Sequence, residues 1–358
     1  MRVAFYAPLK PPDHRVPSGD RRIAQLLWQA LQQAGHEPVL ASRFRSRDAS
    51  GARMTRLAET GARLAERCRR RLGEAKPDAW LTYHLYYKAP DWIGPHVARA
   101  LGIPYLVAEA SLAPKRVGGP WDSGHRAVVE ALRQARAVLA LSRLDMECLA
   151  PAVPDARLIH FPPFLDAAPF AMPRWTRDAP TLLAVGMMRP GAKLASYRLL
   201  AEALARLADR PWQLQVAGDG PARADVEALL APLGARAKML GAVAPAEMPS
   251  VYASADLLVW PAVDEAFGMA LLEAQAAGTP VVAGGYGGVP EIVADGRTGL
   301  VAPPGDAEAF SAAVAGLLGD RRRLLAMGDA ARAHVAAHHA LPAAARRLDD
   351  ILQASVRS

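Results

Sequence analysis

Residues 255–304 constrain the fold more than any other part of the 358-residue chain. This stretch opens with a short apolar run at 257–261, whose length is typical of a buried strand. A loop, a segment of strong helix formers at 269–277 and a second short apolar run at 279–283 follow. Such a strand–helix–strand unit requires a parallel sheet. The sequence therefore predicts an α/β fold that binds ligands beyond the carboxyl ends of its strands.

Two carboxylates, Glu265 and Glu273, lie on either side of the start of the predicted helix. A helical segment of eight residues rises about 12 Å, so the two acids can hold opposite ends of an elongated ligand but cannot act on one atom. Between them, the free amides of Gly268, Met269 and Ala270 would form an anion site. A nucleotide-sugar has the matching shape. The alternative is that Glu265 caps the helix and that Glu273 is a solvated helix position.

The spacing of these residues continues into a longer pattern. The residues concerned are Glu265, Phe267, Gly268, Glu273, residues 278–282, residues 287–291, Asp295, Gly296, Thr298 and Gly299. This pattern resembles the donor-binding signature of the GT-B glycosyltransferases of family 4. The resemblance implies that Glu265 contacts the donor sugar, that Glu273 contacts the ribose hydroxyls, and that the amides of residues 267–270 contact the phosphate and the sugar.

The same resemblance implies two donor contacts nearer the N-terminus. Family members carry paired glycines in the loop after the first strand, and only Gly19 stands there in this chain. The alternative for Gly19 is a glycine that starts a helix. His84 follows a predicted strand at 78–83 and matches a position that contacts the donor sugar. The alternative for His84 is a structural histidine held by loop carbonyls.

Two further segments are candidates for acceptor recognition. Tyr86, Tyr87 and Trp92 are suited either to stacking against an acceptor sugar or to packing within their own loop. A long loop rich in glycine and proline contains Lys115 and Arg116, and long loops in α/β domains are often functional.

A loop in the second half matches the part of the family that clamps the donor diphosphate. It follows a predicted strand at 181–185 and contains Gly186, Arg189 and Lys193. A guanidinium fork and an ammonium group are both suited to binding diphosphate oxygens. The spacing of Arg189 differs from that of the family, so Lys193 matches the pattern better.

The next glycine-rich segment, at 218–220, resembles the start of a dinucleotide fingerprint. Arg223 occupies the third glycine position and no ribose-binding acid follows, which argues against an enzyme that uses NAD. Further along, Leu240, Gly241 and Val243 lie in a segment that resembles the part of the family whose backbone reads the nucleotide base.

Residues 43–76 carry most of the net charge of +8, with eleven basic against four acidic side chains. Apolar residues recur on one side of a predicted helix whose other side is rich in arginine. Such a helix can dock on an anionic membrane, where each charge contributes about 1 kcal/mol, or it can be a solvated outer helix. No apolar stretch is long enough to span a membrane. The two cysteines lack metal-ligand spacing, and a reduced cytoplasmic protein, peripheral to the inner membrane face if the basic segment docks, is expected.

Prolines crowd into residues 151–173 and mark a linker. The sequence predicts an acceptor-binding domain at 1–165 and a donor-binding domain at 174–338, with a last helix at about 341–358 that crosses back onto the first domain. The resemblance implies GT-B architecture, in which two Rossmann-like domains with parallel sheets face a cleft.

The resemblance implies a retaining glycosyltransferase that moves a sugar from a nucleoside-diphosphate sugar to a glycan, a lipid-linked or a small-molecule acceptor. The predicted catalytic residues are Glu265, His84, Lys193 and Arg189. No cofactor, metal or nucleic-acid partner is expected, and no Asp-x-Asp motif occurs in the chain. The alternatives are a nucleotide-sugar epimerase of the same fold and a donor-binding or membrane-associated partner protein without catalysis.

Overall fold

The computed structural model describes residues 1–16, 18–154, 157–173 and 179–357. Two six-stranded sheets divide these residues into two units, the first running from Met1 to Pro162 with the C-terminal helix added, and the second from Pro163 to Ala340. The predicted start of the second domain, residue 174, lies outside the described residues. In the described part of the chain, no helix combines the length and the apolar character that a membrane crossing requires.

The first sheet is parallel throughout, in the order β2-β1-β3-β4-β5-β6. Its strands are β1 (Arg2–Tyr6), β2 (Glu37–Ser42), β3 (Ala79–Leu85), β4 (Tyr105–Ala110), β5 (Ala137–Ala140) and β6 (Leu158–His160). The helices of this unit are α1 (Gly19–Gln33), α2 (Met54–Gly73), α3 (Gly94–Leu101), α4 (Asp122–Gln134), α5 (Arg143–Leu149) and α13 (Leu341–Arg357).

Helix α1 shows why the sequence folds in this way. The Ser18 hydroxyl caps its first turn by accepting a hydrogen bond from the Arg21 amide at 3.2 Å. Its buried residues, at helical spacing, form one apolar face against the sheet. The C-terminal helix α13 packs beside α1, and Asp349 on α13 lies 3.2 Å from the ring of His36.

The second sheet is also parallel, in the order β12-β11-β10-β7-β8-β9. Its strands are β7 (Thr181–Val185), β8 (Gln213–Ala217), β9 (Ala237–Gly241), β10 (Leu257–Trp260), β11 (Val281–Gly284) and β12 (Gly299–Ala302). The helices of this unit are α6 (Ala192–Ala205), α7 (Arg223–Leu230), α8 (Met248–Ala253), α9 (Met269–Ala276), α10 (Val289–Ile292), α11 (Ala307–Leu318) and α12 (Arg321–His338).

The predicted parallel α/β fold is confirmed, and the predicted unit of strand, helix and strand corresponds to β10, α9 and β11. One strand was missed. The proline-rich segment predicted as a linker contains β6, which pairs with β5 through Leu158 and Val138. This strand has only three residues, so hydrophobic periodicity could not reveal it among the surrounding prolines.

Candidate active site

The order of strands in the second sheet reverses between β7 and β10, which pair directly although β8 and β9 separate them in the chain. In parallel α/β sheets, ligands bind beyond the carboxyl ends of the strands at such a reversal. The loop after β7 leads to Lys193 in the first turn of α6, and the loop after β10 carries Glu265. The fold therefore brings together two residues from separate sequence motifs.

The Glu265 carboxylate has two partners. Its Oε2 lies 2.5 Å from the Lys193 ammonium nitrogen and accepts a hydrogen bond from the Trp260 indole at 3.3 Å. Lys193 also lies 5.5 Å from the centre of the Trp260 ring. The side chains of Lys193 and Glu265 are 26% and 17% exposed, so a ligand can reach both. Helix α9 has no side-chain cap, so the interpretation of Glu265 as a helix cap is wrong.

The backbone that presents Glu265 is strained. Ala262 and Asp264 adopt φ angles of +55° and +51°, which residues other than glycine rarely do. Between them, the Val263 amide donates a hydrogen bond of 3.0 Å to the hydroxyl of Ser196 on α6. The helix that carries Lys193 therefore also holds the loop that carries Glu265.

Two glycines of the signature support this loop from below. A Cβ atom on Gly287 would lie 2.1 Å from the carbonyl oxygen of Glu265, and one on Gly288 would lie 2.2 Å from that of Ala266. The Gly288 amide donates to the Glu265 carbonyl at 3.2 Å. Glycine is required at both positions because backbone packs directly on backbone.

Helix α9 begins at Met269, directly after Gly268, which adopts a φ of +66°. The first amide that bonds within the helix is that of Leu271, which donates to the Gly268 carbonyl at 2.8 Å. The amides of Gly268, Met269 and Ala270 donate no hydrogen bond to any residue that the structure describes. Together with the partly buried Phe267 before them, they form an N-terminus suited to an anion.

Glu273 is held by a buried tyrosine from α8. The Tyr252 hydroxyl donates a hydrogen bond of 2.9 Å to the Glu273 carboxylate. Burial of Tyr252, together with the charge of Glu273, raises the pKa of the phenol well above its usual value, so it remains a donor. The interpretation of Glu273 as a merely solvated helix position is therefore wrong. Tyr252 was not predicted, because no sequence motif includes it.

The remaining residues of the predicted diphosphate clamp are placed differently. Arg189 is exposed, and its amide donates a hydrogen bond of 3.1 Å to the Met187 carbonyl. Gly186 packs against Trp260, and a Cβ atom at this position would lie 2.7 Å from the indole ring. The structure thus joins Lys193 to Glu265 but does not join Arg189 to them.

The segment predicted to read the base follows β9. Gly241 accepts a hydrogen bond of 2.8 Å from the Gly218 amide, which joins the ends of β8 and β9. Leu240 and Val243 are partly buried against the core of the second unit. The two side chains contribute to packing, and the base contact stays a prediction.

The first sheet reverses in the same way, between β1 and β3. His84, near the end of β3, has its Nδ1 atom 3.2 Å from Asp20 at the start of α1 and 3.3 Å from Glu109 near the end of β4. His84 and Glu109 adopt φ angles of +61° and +60°. The partners of His84 are carboxylates, so the interpretation of a histidine held by loop carbonyls is wrong.

The charges in this cluster depend on one another. Burial disfavours the charged ring, but the carboxylates of Glu109 and Asp20 outweigh burial and raise the pKa of His84. The close approach of the His84 ring lowers the pKa of Asp20, whereas burial raises the pKa of Glu109. Asp20 and Glu109 were not predicted as partners of His84. The sequence contained a signal for both: Glu109 lies near the end of a strand and Asp20 at the start of a helix. Neighbouring parallel strands bring such positions together at the carboxyl edge of a sheet.

Gly19 begins α1 beside this cluster. A Cβ atom at Gly19 would meet no other atom within 4 Å, so packing does not require glycine there. Close approach of a ligand to Gly19 stays a prediction.

Aromatic rings extend from His84 along the surface of the first unit. The ring centroids of His84 and Tyr86 are 5.0 Å apart, those of Tyr86 and Tyr87 5.7 Å, and those of Tyr87 and Trp121 5.8 Å. Trp92 instead packs against Gly61 of α2, where a Cβ atom would lie 2.2 Å from it.

The basic segment forms the loop before α2 and the helix itself. The apolar side of α2 is buried in the first unit, through Met54, Gly61, Ala65, Cys68 and Leu72. Because this side is buried against α3 and α4, it is not available to insert into a membrane. Contact with an anionic surface through the arginines stays a prediction. Within residues 1–16, 18–154, 157–173 and 179–357, no group of three or more His, Cys, Asp or Glu could hold a metal ion.

Sequence comparison decides the family. The model of the family described as "Glycosyl transferases group 1" matches residues 179–320. The 2-deoxystreptamine glucosyltransferase of Streptomyces kanamyceticus is 31% identical over 291 residues, which cover 72% of this chain and 74% of that protein. The chain belongs to the glycosyl transferases of group 1.

Other group 1 relatives match over shorter parts of their length. The D-inositol 3-phosphate glycosyltransferase of Nocardia farcinica is 32% identical over 249 residues, which cover 67% of this chain and 52% of that protein. The chain therefore spans about half the length of that relative. Among solved structures, HepE of Anabaena in complex with UDP has a TM-score of 0.75 at 16% identity, covering 99% of this chain and 100% of HepE. At this identity the likeness concerns the fold, and it confirms the predicted GT-B fold.

Proposed function

We propose that this group 1 chain transfers a sugar from a nucleoside-diphosphate sugar to an acceptor. The observation that carries the proposal is the ion pair of Lys193 and Glu265 beside an α9 N-terminus with free amides. In this proposal the diphosphate binds Lys193 and the amides, the ribose binds Glu273, and the donor sugar binds Glu265. Contact of His84 with the donor sugar stays a prediction from the family resemblance. The donor would then lie on the second unit and the acceptor on the first.

Charge development explains why such a site would accelerate transfer. When the bond to the sugar breaks, negative charge grows on the leaving diphosphate. An ammonium group and helix amides that are already oriented toward it stabilise that charge more than they stabilise the ground state. The Lys193 ammonium would exchange its contact with Glu265 for one with the diphosphate, which leaves the Glu265 carboxylate free to contact the sugar.

The printed names of relatives support transfer over epimerisation. The two relatives described above are named a glycosyltransferase and a glucosyltransferase, and HepE has been solved with UDP and with UDP-glucose. These names concern those proteins. They make a nucleoside-diphosphate sugar the first class of donor to test here, and they leave the sugar and the acceptor of this chain open.

We further propose membership in family 4, retention of anomeric configuration and independence of a metal ion. The signature around Glu265 and Glu273 supports the family assignment. Glu265 lies in the loop after β10 and Glu273 lies in α9, and the two carboxylates have separate partners, Lys193 and Tyr252, so they do not form the close carboxylate pair of retaining hydrolases. Lys193 and the α9 amides would supply the positive charge that a metal supplies in other transferases.

We also propose that the exposed arginines of segment 43–76 bring the chain to anionic membranes by electrostatic attraction alone. The buried apolar side of α2 supports the absence of insertion. Binding to vesicles of phosphatidylglycerol should then disappear at high salt. Binding that survives high salt would contradict this part of the proposal.

Thermal unfolding with UDP, GDP, ADP, TDP and NAD tests the donor site first. A ligand at a hundred times its dissociation constant adds about 2.7 kcal/mol to the free energy of unfolding. We expect stabilisation by one nucleoside diphosphate that is lost in Glu273→Ala. No stabilisation by any of them, or stabilisation by NAD alone, would contradict the proposal.

Product analysis then tests the reaction. The protein is incubated with the sugar donor of the matching nucleotide and a panel of acceptors, with and without a chelator. Transfer with the α or β configuration of the donor retained, unaffected by the chelator, is the expected result. An epimerised nucleotide-sugar would identify the epimerase alternative, and intact donor would identify a binding protein without catalysis.

A further inference from the structure

Two cations in the first unit share the same two aromatic rings. The Lys88 ammonium lies 5.6 Å from the centre of the Tyr87 ring and 5.4 Å from that of Trp121. The Arg116 guanidinium carbon lies 5.3 Å and 4.9 Å from the same two centres. The rings meet edge to face, with an interplanar angle of 86°. The same aromatic pair therefore contacts two cations.

Neither cation is neutralised within the part of the chain that the structure describes. No carboxylate oxygen there forms an ion pair with Lys88 or Arg116, and the buried Nε of Arg116 has no hydrogen-bond partner there.

Acids in neighbouring loops are engaged elsewhere. Asp48 accepts from the backbone of Arg53, Asp91 accepts from the hydroxyl of Thr82, and Asp122 pairs with Arg126. Two cations that contact the same rings repel each other, and an anion bound near both would offset that repulsion.

The surrounding loops fix the geometry of this cation pair. The Trp121 indole donates a hydrogen bond of 3.1 Å to the Asp48 carbonyl, and the Asp48 amide donates one of 2.8 Å to the Lys88 carbonyl. A Cβ atom on Gly124 would lie 2.3 Å from the Tyr87 carbonyl, so α4 packs directly on the loop that carries Tyr87. These contacts between loops fix the positions of the two rings that Lys88 and Arg116 contact.

We propose that Lys88 and Arg116 bind the phosphoester group of the acceptor. The proposal rests on the proposed function, because it names the class of acceptor that this transferase would use. From the cation pair, Tyr87 and Tyr86 lead ring by ring to His84, the residue predicted to contact the donor sugar. A phosphorylated acceptor would bind its phosphate between Lys88 and Arg116 and stack its sugar or polyol ring along the tyrosines.

A local reporter tests whether the cation pair binds phosphate. The full chain is labelled with 5-fluorotryptophan, and the ¹⁹F signal of Trp121 is assigned with Trp121→Phe. Inorganic phosphate is then titrated against chloride at matched ionic strength. We expect a saturable shift of the Trp121 signal, and binding at least about tenfold weaker in the Lys88→Gln, Arg116→Gln double variant.

Three controls separate this site from others. Lys115→Gln removes an exposed cation of the same loop that does not contact the rings and should leave phosphate binding unchanged. Lys193→Gln disables the proposed donor clamp and should also leave the Trp121 shift unchanged. The charge-conserving variant Lys88→Arg should retain phosphate binding. That result would show that loss of charge, rather than loss of fold, weakens phosphate binding in the double variant. No saturable shift in the wild type, or an equal shift in the double variant, would overturn the proposal.

Two further arms identify the source of the phosphoester. Glycerol 3-phosphate represents soluble acceptors, and vesicles of phosphatidylglycerol represent lipid headgroups, with phosphatidylcholine vesicles as the control. Competition by the soluble ester supports a soluble acceptor, whereas competition by the anionic vesicles alone supports a lipid-linked one. If inorganic phosphate binds but neither ester competes, the acceptor proposal is overturned.

Failure of this proposal is distinguishable from failure of the proposed function. Stabilisation by a nucleoside diphosphate depends on residues of the second unit and should persist in the Lys88→Gln, Arg116→Gln double variant. A wild type that binds no nucleotide would overturn the proposed function whatever the phosphate titration shows.

Discussion

The ammonium group of Lys193 lies 2.5 Å from the carboxylate of Glu265, although 72 positions separate the two residues in the chain. Each group neutralises the other at the carboxyl edge of the second sheet. A diphosphate that binds Lys193 must therefore compete with an internal carboxylate. In the proposed reaction, this competition couples the arrival of the diphosphate to the release of Glu265 toward the sugar.

The Lys193–Glu265 pair leads to a first prediction. Glu265→Gln keeps the shape of the side chain but removes its charge, and we expect turnover to fall by about 10²-fold or more because one charged group at the reacting centre is lost. Arg189→Gln should have a much smaller effect, since Arg189 is exposed and does not contact Glu265. Steady-state rates with the donor identified by thermal unfolding provide the measurement.

The same pair can be tested without an activity assay. In a double-mutant cycle of Lys193→Gln and Glu265→Gln, we expect a coupling of about 0.5–3 kcal/mol in the free energy of unfolding, because each single variant leaves a partly buried charge without its partner. Additive changes in the free energy of unfolding would show that the contact between Lys193 and Glu265 does not contribute to stability. For the turnover prediction above, an unchanged rate in Glu265→Gln would contradict the proposed contact of Glu265 with the donor sugar.

Glu273 provides a second prediction. Glu273→Gln should weaken binding of the nucleoside diphosphate by about tenfold or more, because a hydrogen bond to a charged acceptor contributes about 1.5–3 kcal/mol. Tyr252→Phe keeps the carboxylate and loses only its internal donor, so it should weaken binding less. Calorimetric titration of both variants tests this. Equal effects would mean that the tyrosine, rather than the acid, determines the affinity.

The raised pKa of His84 gives a third prediction, for pH dependence. The folded state binds a proton on His84 more tightly than the unfolded state, in which the histidine pKa is about 6.5. His84 therefore adds stability that is complete below about pH 6.5 and is lost as the pH rises through its folded pKa. The difference in free energy of unfolding between wild type and His84→Gln should shrink over that range.

Glu109→Gln serves as the matched variant for this measurement. The charge of Glu109 raises the pKa of His84 against the effect of burial, so its removal should move the loss of stability to lower pH. Denaturant unfolding across the pH range is the measurement. A difference between wild type and His84→Gln that is independent of pH would contradict the assignment.

The glycines below Glu265 give a fourth prediction. Gly288→Ala would bring a Cβ atom to 2.2 Å from the Ala266 carbonyl oxygen, and such overpacking destabilises proteins by about 1–3 kcal/mol. Gly316→Ala is the matched control, because a Cβ atom there would meet nothing within 4 Å besides the adjacent backbone of α11, and alanine favours helices. A lower melting temperature for Gly288→Ala alone, with reduced turnover, is expected. Equal melting temperatures would mean that the loop yields without cost.

Much of the fold and part of the site followed from the sequence for identifiable physical reasons. Apolar runs and helix formers predicted β10, α9 and β11, because burial and helix propensity act locally. The pairing of Lys193 with Glu265 was not predictable, since it depends on β10 crossing back beside β7. The roles of Tyr252 beside Glu273 and of Glu109 beside His84 were not predictable for the same reason. Each becomes meaningful only when a distant element brings a charged partner to it.

The loop that carries Glu265 rests on main-chain atoms rather than on side chains. At Gly284, Gly287 and Gly288, any side chain would strike a carbonyl oxygen at 2.1–2.2 Å. Substitutions at these three glycines therefore cannot adjust the loop without displacing its backbone. A descendant of this chain with a different donor preference would change at positions with room, such as the exposed Met187 and Arg189. A library designed to alter the donor should randomise those two positions and leave the three glycines untouched.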